Sequence, residues 1–272
     1  MVRSLWSAAT GMNAQQTNVD TIANNLANVN TVGYKSQVSQ FKSLLYQTLQ
    51  TKTTTANGNP KPVTSQVGLG VRNSSINSSF KQGSLIASES DTAFAVEGEG
   101  FFAVRNEDGT TNYTRNGDFT WALGTGGNIM LTTTDGLPVL DTAGRAINLS
   151  SAFVTNKITI TSDGTLCYPD ANNNPQSLGV TIGAYQFNNP GGLERQGDSL
   201  WAVTGASGAA INEATNANVQ RSKIVQGYLE GSNVQVADEM VNLIVAQRAY
   251  EMNSKAITTS DEMMQQANNL KR

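Results

Sequence analysis

The chain has 272 residues, 38% hydrophobic and 14% charged, so it is long enough to bury one large or two modest cores. Its net charge of -3 argues against nucleic acid as a partner, because phosphate binding needs clustered Lys and Arg. The sequence has no histidine and one cysteine, Cys167, which excludes disulfide frameworks, zinc fingers and His-dependent triads. No catalytic, cofactor-binding or metal-ligating set emerges. An enzyme with a carboxylate pair in its β-rich part stays open as an alternative.

The N-terminal segment lacks the pattern of a cleavable secretory signal. Arg3 is followed by apolar residues spaced around a helix, not by a continuous apolar core. No segment reaches the roughly 18 consecutive apolar residues of a membrane span. We therefore expect any export from the cytosol to use a route without a cleaved signal peptide.

Residues 1–33 are predicted to form a first domain, the N-terminal core helix. Its apolar residues alternate three- and four-residue steps, which is the heptad pattern of a helix that packs along one stripe. The stripe consists of Leu5, Ala8, Met12, Val19, Ile22, Leu26 and Val29. Ser4 is a candidate N-cap, and Gly33 can adopt the left-handed backbone that often follows a helix end. The predicted helix is roughly 26 residues long.

Residues 34–95 are predicted to form a connecting arm and an extended segment. The apolar residues between Val38 and Leu49 are spaced for a helix, which predicts a second, short helix or a helical turn there. The stretch 51–66 has no apolar period and contains Pro60 and Pro62, so it is predicted to be a loop or extended arm.

Residues 96–220 are predicted to form a β-rich outer domain. Runs of alternating or β-branched residues are separated by turn dipeptides such as Asp108–Gly109, Asp135–Gly136 and Asp163–Gly164. Short strands at this spacing favour a meandering antiparallel sheet or a barrel.

Residues 221–272 are predicted to form a return strand and the C-terminal core helix. The helix carries a second apolar stripe, which consists of Val236, Met240, Leu243, Tyr250, Ile257 and Met264. Asn233 is a candidate N-cap, and Asp238 and Glu239 would occupy the first turn, where negative charge is favourable. The predicted fold class is α+β, with long N- and C-terminal helices pairing as a coiled coil and an inserted antiparallel β-rich domain.

The two stripes are the predicted assembly interface, because each is too narrow to enclose a core alone. We expect the terminal helices to order when subunits assemble; a self-contained antiparallel pair is the alternative. The interface residues are Leu5, Met12, Val19, Ile22, Leu26, Val29, Val236, Met240, Leu243, Tyr250, Ile257 and Met264. Their polar neighbours Asn24, Asn25 and Asn28 are predicted to bond between subunits or to line a channel.

Three segments resemble a known family. SLWSAATGMNAQQTNVDTIANNLANVNTVGYK is similar to the N-terminal signature of the bacterial flagellar rod and hook family, and LEGSNVQVADEMVNLIVAQRAYEMNSKAI to its C-terminal signature. VEGEGFFAV and YTRNGDFT resemble the family's central β segment. Within the family, LLYQTL followed by a polar arm and VGLGVR resembles the members that build the distal rod.

The resemblance implies a structural subunit of the flagellar basal body that polymerises helically into a rigid hollow shaft, with no cofactor. The implied partners are further copies of the chain, proximal rod and hook subunits, a rod cap, the flagellar type III export apparatus and, in a cell with an outer membrane, the P- and L-ring proteins. The arm would wedge between subunits and stiffen the shaft. The alternatives are a proximal rod or hook subunit, or a secreted β-rich binding protein that oligomerises through its helices.

Overall fold

The computed structural model describes residues 2–50, 65–124, 127–170, 172, 174–216 and 218–270. Over these residues the chain forms an N-terminal helix, a β-rich middle and a C-terminal helix, as predicted. The predicted arm, 51–66, lies outside the described residues except for its last two positions.

The chain divides into two compact units that are each discontinuous in sequence. Unit 1 consists of Met1–Ala27, Gln37–Ser78 and Gln235–Arg272, and unit 2 consists of Asn28–Ser36 and Ser79–Val234. The two long helices therefore belong to the same unit although they lie at opposite ends of the sequence.

Unit 1 contains both long helices and a β-ribbon. Its elements are α1 (Val2–Ala27), β1 (Gln37–Ser43), β2 (Tyr46–Gln50), β3 (Ser65–Gly68), β4 (Val71–Ser78) and α2 (Val236–Asn269). β1 pairs antiparallel with β4, and β2 pairs antiparallel with β3. The bond from Leu44 N to Gly70 O, 2.9 Å long, joins the two pairs into one two-stranded ribbon.

The first helix has the predicted length but not the predicted ends. α1 spans 26 residues and begins at Val2, so Ser4 lies inside its first turn and is not the N-cap. Because α1 ends at Ala27, Val29 lies beyond the helix and is not part of its stripe. Gly33 adopts the left-handed backbone, with a φ of 68°, a few residues past the helix end.

The prediction of a short helix between Val38 and Leu49 is wrong, because this stretch forms β1 and β2. Burial alternates along β1: Gln37, Ser39 and Phe41 are half-buried, whereas Val38 is exposed. The ribbon lies against α1, where Ser39 Oγ donates to Asn18 Oδ1 over 2.8 Å. Pairing of β1 with β4 and of β2 with β3 decides the structure here, and neither pairing is visible in local apolar spacing.

The start of α2 also differs from its prediction. The N-cap position is Gln235, and it makes no side-chain capping bond. Asn233 turns its side chain to other backbone groups: its Oδ1 accepts a bond from Ser36 N, and its Nδ2 donates to Ser79 O. Asp238 and Glu239 do lie in the first turn, as predicted.

Unit 2 is the β-rich body. Its strands are β5 (Leu85–Ala87), β6 (Phe94–Glu97), β7 (Phe101–Arg105), β8 (Thr111–Thr114), β9 (Phe119–Leu123), β10 (Ile129–Thr133), β11 (Asn148–Leu149), β12 (Thr159–Ile160), β13 (Thr165–Pro169), β14 (Pro175–Thr181), β15 (Ala184–Gln186), β16 (Glu194–Arg195), β17 (Leu200–Ala202), β18 (Ile211–Asn212), β19 (Lys223–Gln226) and β20 (Tyr228–Glu230). Single turns of 3₁₀ helix lie at Thr155–Lys157 and Pro190–Gly192.

The sheets of unit 2 are antiparallel but do not form a simple meander. The largest has the order β16-β17-β8-β7-β15-β18, and three-stranded sheets have the orders β11-β10-β9 and β12-β13-β14. β19 pairs with β6, and β20 pairs with β5. The predicted return strand is thus two strands, which separate at Gly227 where φ is 77°.

The core of unit 2 is apolar and closed. Its larger cluster includes Phe94, Val96, Phe102, Val104, Phe119, Leu131, Val139, Ile147, Leu166 and Ile182, each at most 1% exposed. Phe102 and Phe119 pack edge to face with their ring centroids 5.1 Å apart. A second cluster, around Phe101, Tyr113, Phe187 and Trp201, covers the other face of the largest sheet.

Candidate assembly surface

The two long helices pack antiparallel within unit 1. Near one end, Ser4 Oγ lies 3.3 Å from Ser260 Oγ. Near the other, Asn25 Nδ2 donates to Glu239 Oε1 over 3.0 Å. The two contacts are separated by the same number of residues on α1 and on α2. The helices therefore stay in the same register from one contact to the other.

Small and polar side chains occupy part of the contact between these helices. A Cβ placed on Gly11 would lie 2.9 Å from Asn253 Nδ2, so α2 approaches the α1 backbone closely at this point. Ala8 and Ala14 on α1 are buried, as is Ala246 on α2. The helix pair therefore buries few of the large apolar side chains of α2.

Asn25 is the most deeply buried polar residue of α1, with 1% of its surface exposed. Its Oδ1 accepts a bond from Gln37 N, and its Nδ2 donates to Gln37 O and to Glu239 Oε1. The prediction that Asn25 bonds to another subunit or lines a channel is therefore wrong. Burial raises the pKa of Glu239, and the bond from Asn25 offsets part of that rise.

The predicted interface residues are divided by their exposure. Ile22 is buried, and the half-buried members are Leu5, Met12, Val19, Leu26, Val29, Leu243, Ile257 and Met264. The exposed members are Val236, Met240 and Tyr250. Leu243, Ile257 and Met264 share the side of α2 that carries the buried Ala246 and Ser260.

The opposite side of α2 carries an apolar surface that the predicted interface largely missed. Met240, Val241, Ile244 and Val245 are 52%, 60%, 56% and 62% exposed. At about 100° per residue, they lie on the side of the helix turned away from Ala246. We name these four residues the α2 apolar face. The sequence does contain a signal for this face: Met240 and Val241 are adjacent, and so are Ile244 and Val245, four residues further on. Adjacent residues are about 100° apart around a helix, so a narrow stripe facing α1 cannot contain both members of each pair.

Other large apolar side chains of unit 1 are also open to solvent. They are Trp6, Val38, Leu45, Tyr46, Leu49, Leu69, Ile76, Met252, Met263 and Leu270. Burial of such exposed apolar side chains favours association with other molecules. Among the described residues, neither helix is long and apolar enough to cross a lipid bilayer.

Family models match three parts of the chain. The model described as "Flagella basal body rod protein" matches residues 5–35, and "Flagellar hook protein FlgE/F/G D1 domain" matches residues 95–168. "Flagellar basal body rod FlgEFG protein C-terminal" matches residues 225–270. All three describe axial proteins of the flagellum, and together they cover α1, the start of the β-rich body and α2.

Full-length relatives narrow this class. The chain is 43% identical to the flagellar basal-body rod protein FlgG of Borreliella burgdorferi, over 100% of both chains. It is 41% identical to the protein of the same name from Agrobacterium fabrum, over 96% of this chain and 97% of the relative. For Buchnera aphidicola FlgG the identity is 39%, over 99% of this chain and 100% of the relative. The chain belongs to the family of flagellar basal-body rod proteins, and it is a structural subunit of the rod.

Proposed function

We propose that the chain builds the distal part of the rod, where its copies polymerise helically into a rigid hollow shaft. The shaft would carry motor torque to the hook and enclose the channel for exported proteins. The observation that carries this proposal is the α2 apolar face, which stays open in a chain whose other unit has a closed core. The full-length similarity to proteins named FlgG supports the same assignment.

Burial of this face would contribute favourable free energy to assembly. Complete burial of one Val, Ile or Met side chain contributes about 1.5–3 kcal/mol. The four residues of the α2 apolar face already lose part of their surface, so each would gain a fraction of that amount. A contact between different surfaces of identical subunits repeats without closing when its rotation does not form a ring, and the product is a helical array.

We infer that α1 and α2 pair as a coiled coil and that the pair enters the assembly as a unit. The antiparallel contacts of Ser4 with Ser260 and of Asn25 with Glu239 support the pairing. In this proposal the half-buried stripe residues hold the pair together, and the exposed Val236 and Tyr250 join the α2 apolar face, which includes Met240, in contacting other copies.

The remaining partners follow from the proposed location. The shaft would join proximal rod subunits at one end and hook subunits at the other, and a rod cap would assist its growth. P- and L-ring proteins would surround it in a cell with an outer membrane. We also propose delivery through the flagellar type III export apparatus without a cleaved signal peptide.

The test replaces Ile244 by Asp in the full chain and expresses it in flagellated cells that lack their own copy of the protein. We expect cells with the wild-type chain to swim and cells with I244D to lack complete rods in electron micrographs of isolated basal bodies. Circular dichroism of the purified monomer should be unchanged, because Ile244 is exposed in the monomer.

Thr258→Asp is the matched control, since Thr258 is exposed on the same side of α2 further along the helix. Cells with T258D should assemble rods. Normal rods in cells with I244D would contradict the assigned interface. A wild-type chain that assembles only into closed oligomers of fixed size, or that fails to restore rods, would contradict the proposed function.

A further inference from the structure

The sequence passes between the stretches of unit 1 and unit 2 four times, after Ala27, Ser36, Ser78 and Val234. The residues of unit 2 that flank these passages come from three distant parts of the sequence. Within unit 2, a single polar network holds all three parts together. We name it the collar; its central members are Lys35, Arg115, Glu230 and Asn233.

Glu230 is the centre of the collar and is completely buried. Its Oε1 accepts bonds from Lys35 Nζ over 2.8 Å and from Gly83 N over 2.9 Å. Its Oε2 lies 3.3 Å from Arg115 Nη1, and its backbone oxygen accepts a bond from Gly33 N over 2.7 Å. One residue thus binds the segment after α1, the segment before β5 and the chain after β8.

Asn233 completes the collar from the segment that leads to α2. Its Oδ1 accepts a bond from Ser36 N over 2.7 Å, and its Nδ2 donates to Ser79 O over 2.8 Å and to Lys81 O over 3.1 Å. Lys35 Nζ donates to the same Lys81 oxygen over 2.9 Å. Residues that immediately flank the passages after Ser36 and Ser78 are therefore bonded to the segment that ends at Val234.

The chemistry of the collar indicates that it fixes the arrangement of these chain segments more than it adds to the stability of unit 2. Two cations share one carboxylate, and burial lowers the pKa of both Lys35 and Arg115 despite the attraction of Glu230. A buried ion pair is weak evidence for stability, because desolvation opposes the charge attraction, whereas its best-attested use is to fix one arrangement of the chain. The apolar core of unit 2 lies elsewhere, around Phe102 and Phe119.

We propose that Glu230 is a positioning residue, and that the collar it organises transmits torque within the subunit by fixing every chain segment that leads from unit 2 to unit 1. The torque part of this inference rests on the proposed function of the chain as a shaft subunit. The fixing of the segments does not, because it is a property of the isolated monomer.

The first experiment measures amide hydrogen exchange in the full-length monomer with Glu230→Gln. Gln keeps the size of the side chain but removes the charge shared by Lys35 and Arg115. We expect exchange to become at least tenfold faster at residues 30–36, 79–83 and 228–234, with no change in β7 and β13. Equally faster exchange throughout unit 2 would mean that Glu230 only stabilises the unit as a whole. Unchanged exchange would show that Glu230 does not hold these segments, and either result would contradict the proposal.

Two further variants keep the proposal testable if E230Q folds poorly. Asn233→Ala changes no charge and should accelerate exchange at residues 34–36 and 79–81 alone. Glu251→Gln is the matched control, because Glu251 forms an exposed pair with Arg248 and should leave the collar segments unchanged. Failure of either expectation would count against the collar.

The second experiment examines torque in cells. Basal bodies isolated from cells that produce N233A should contain rods, but after mechanical shearing we expect at least three times as many bent or broken rods as with the wild-type chain or E251Q. Rods of normal strength, despite the expected exchange in the monomer, would refute torque transmission through the collar. If the wild-type chain forms no rods, the proposed function fails, while the exchange result stands by itself.

Discussion

The two units of the molecule differ in how they bury their large apolar side chains. In unit 2, large aromatic and aliphatic side chains such as Phe102 and Leu131 are completely buried. In unit 1, the buried contact between the helices uses Ala, Gly, Ser and Asn, whereas Val241 and Ile244 face solvent. Unit 2 therefore buries a large apolar core within the monomer and leaves single residues such as Leu123 exposed, whereas unit 1 leaves several large apolar side chains of α2 available for other molecules.

The largest expected effect is in the closed core of unit 2. Phe102→Ala should lower the free energy of unfolding by about 3–5 kcal/mol, because it leaves a cavity beside Phe119. Guanidinium denaturation of the full chain, followed through the fluorescence of Trp121 and Trp201, measures this change. A loss below about 1 kcal/mol would mean that the core tolerates cavities and that the contrast between the units is overstated.

A smaller effect is expected at the polar centre of the helix pair. Asn25→Ala should destabilise unit 1 by about 1–3 kcal/mol, because the backbone groups of Gln37 and the carboxylate of Glu239 each lose a bond. Hydrogen exchange in β1 and in the first turns of α2 should accelerate, while β7 stays protected. Gln16→Ala, at an exposed position of α1, is the control and should change stability by less than about 0.5 kcal/mol.

The pH dependence of unit 1 is a finer test. Because burial raises the pKa of Glu239 above its ordinary value of 4.5, folded unit 1 binds the proton more tightly than the unfolded chain does. The contribution of this group to stability is complete below pH 4.5 and is lost as the pH rises through the raised pKa. Glu239→Gln should remove this dependence and change stability by up to about 1 kcal/mol at neutral pH. A wild-type monomer in which helix protection rises over this range would contradict the assignment.

The smallest effect is expected on the α2 apolar face. Val241→Ser should change the unfolding free energy of the monomer by less than about 0.5 kcal/mol, since the residue is already exposed. The same variant should reduce the number of complete rods in cells. A large loss of monomer stability would show that this face is already covered within the subunit, and the contrast between the units would not hold.

The apolar periodicity of the sequence correctly predicted the two long helices, but it did not predict which side of each helix is covered. The heptad spacing from Leu5 to Leu26 predicts α1, and the stripe from Val236 to Met264 predicts α2. Spacing does not show which side of a helix its partner covers. Val241 and Ile244 face outward because α1 approaches the side that carries Ala246, and this approach depends on contacts between opposite ends of the chain.

The errors have the same origin. Val38 to Leu49 has the spacing of a helix, yet β4 supplies hydrogen bonds to β1 and β3 supplies them to β2, so this stretch forms two strands. Asn233 has the right position and chemistry for an N-cap, but distant backbone groups at Ser36 and Ser79 bind it instead. Glu230 gave no signal beyond its place in the LEGSN motif, because its partners are brought to it by the fold. The interface residues proposed for other copies of the chain stay predictions.

The bond between Lys35 and Glu230 has a consequence for making chimeric subunits. A graft of Ser79–Val234 alone would appear to move the β-rich body, because it is one continuous stretch. That graft would carry Glu230 and Arg115 into the new host but leave Lys35 behind, so the host would need its own amine at the matching point beyond its first helix. The transferable module is therefore two pieces of sequence, Asn28–Ser36 together with Ser79–Val234, and the shorter piece decides whether the longer one has its charge balanced.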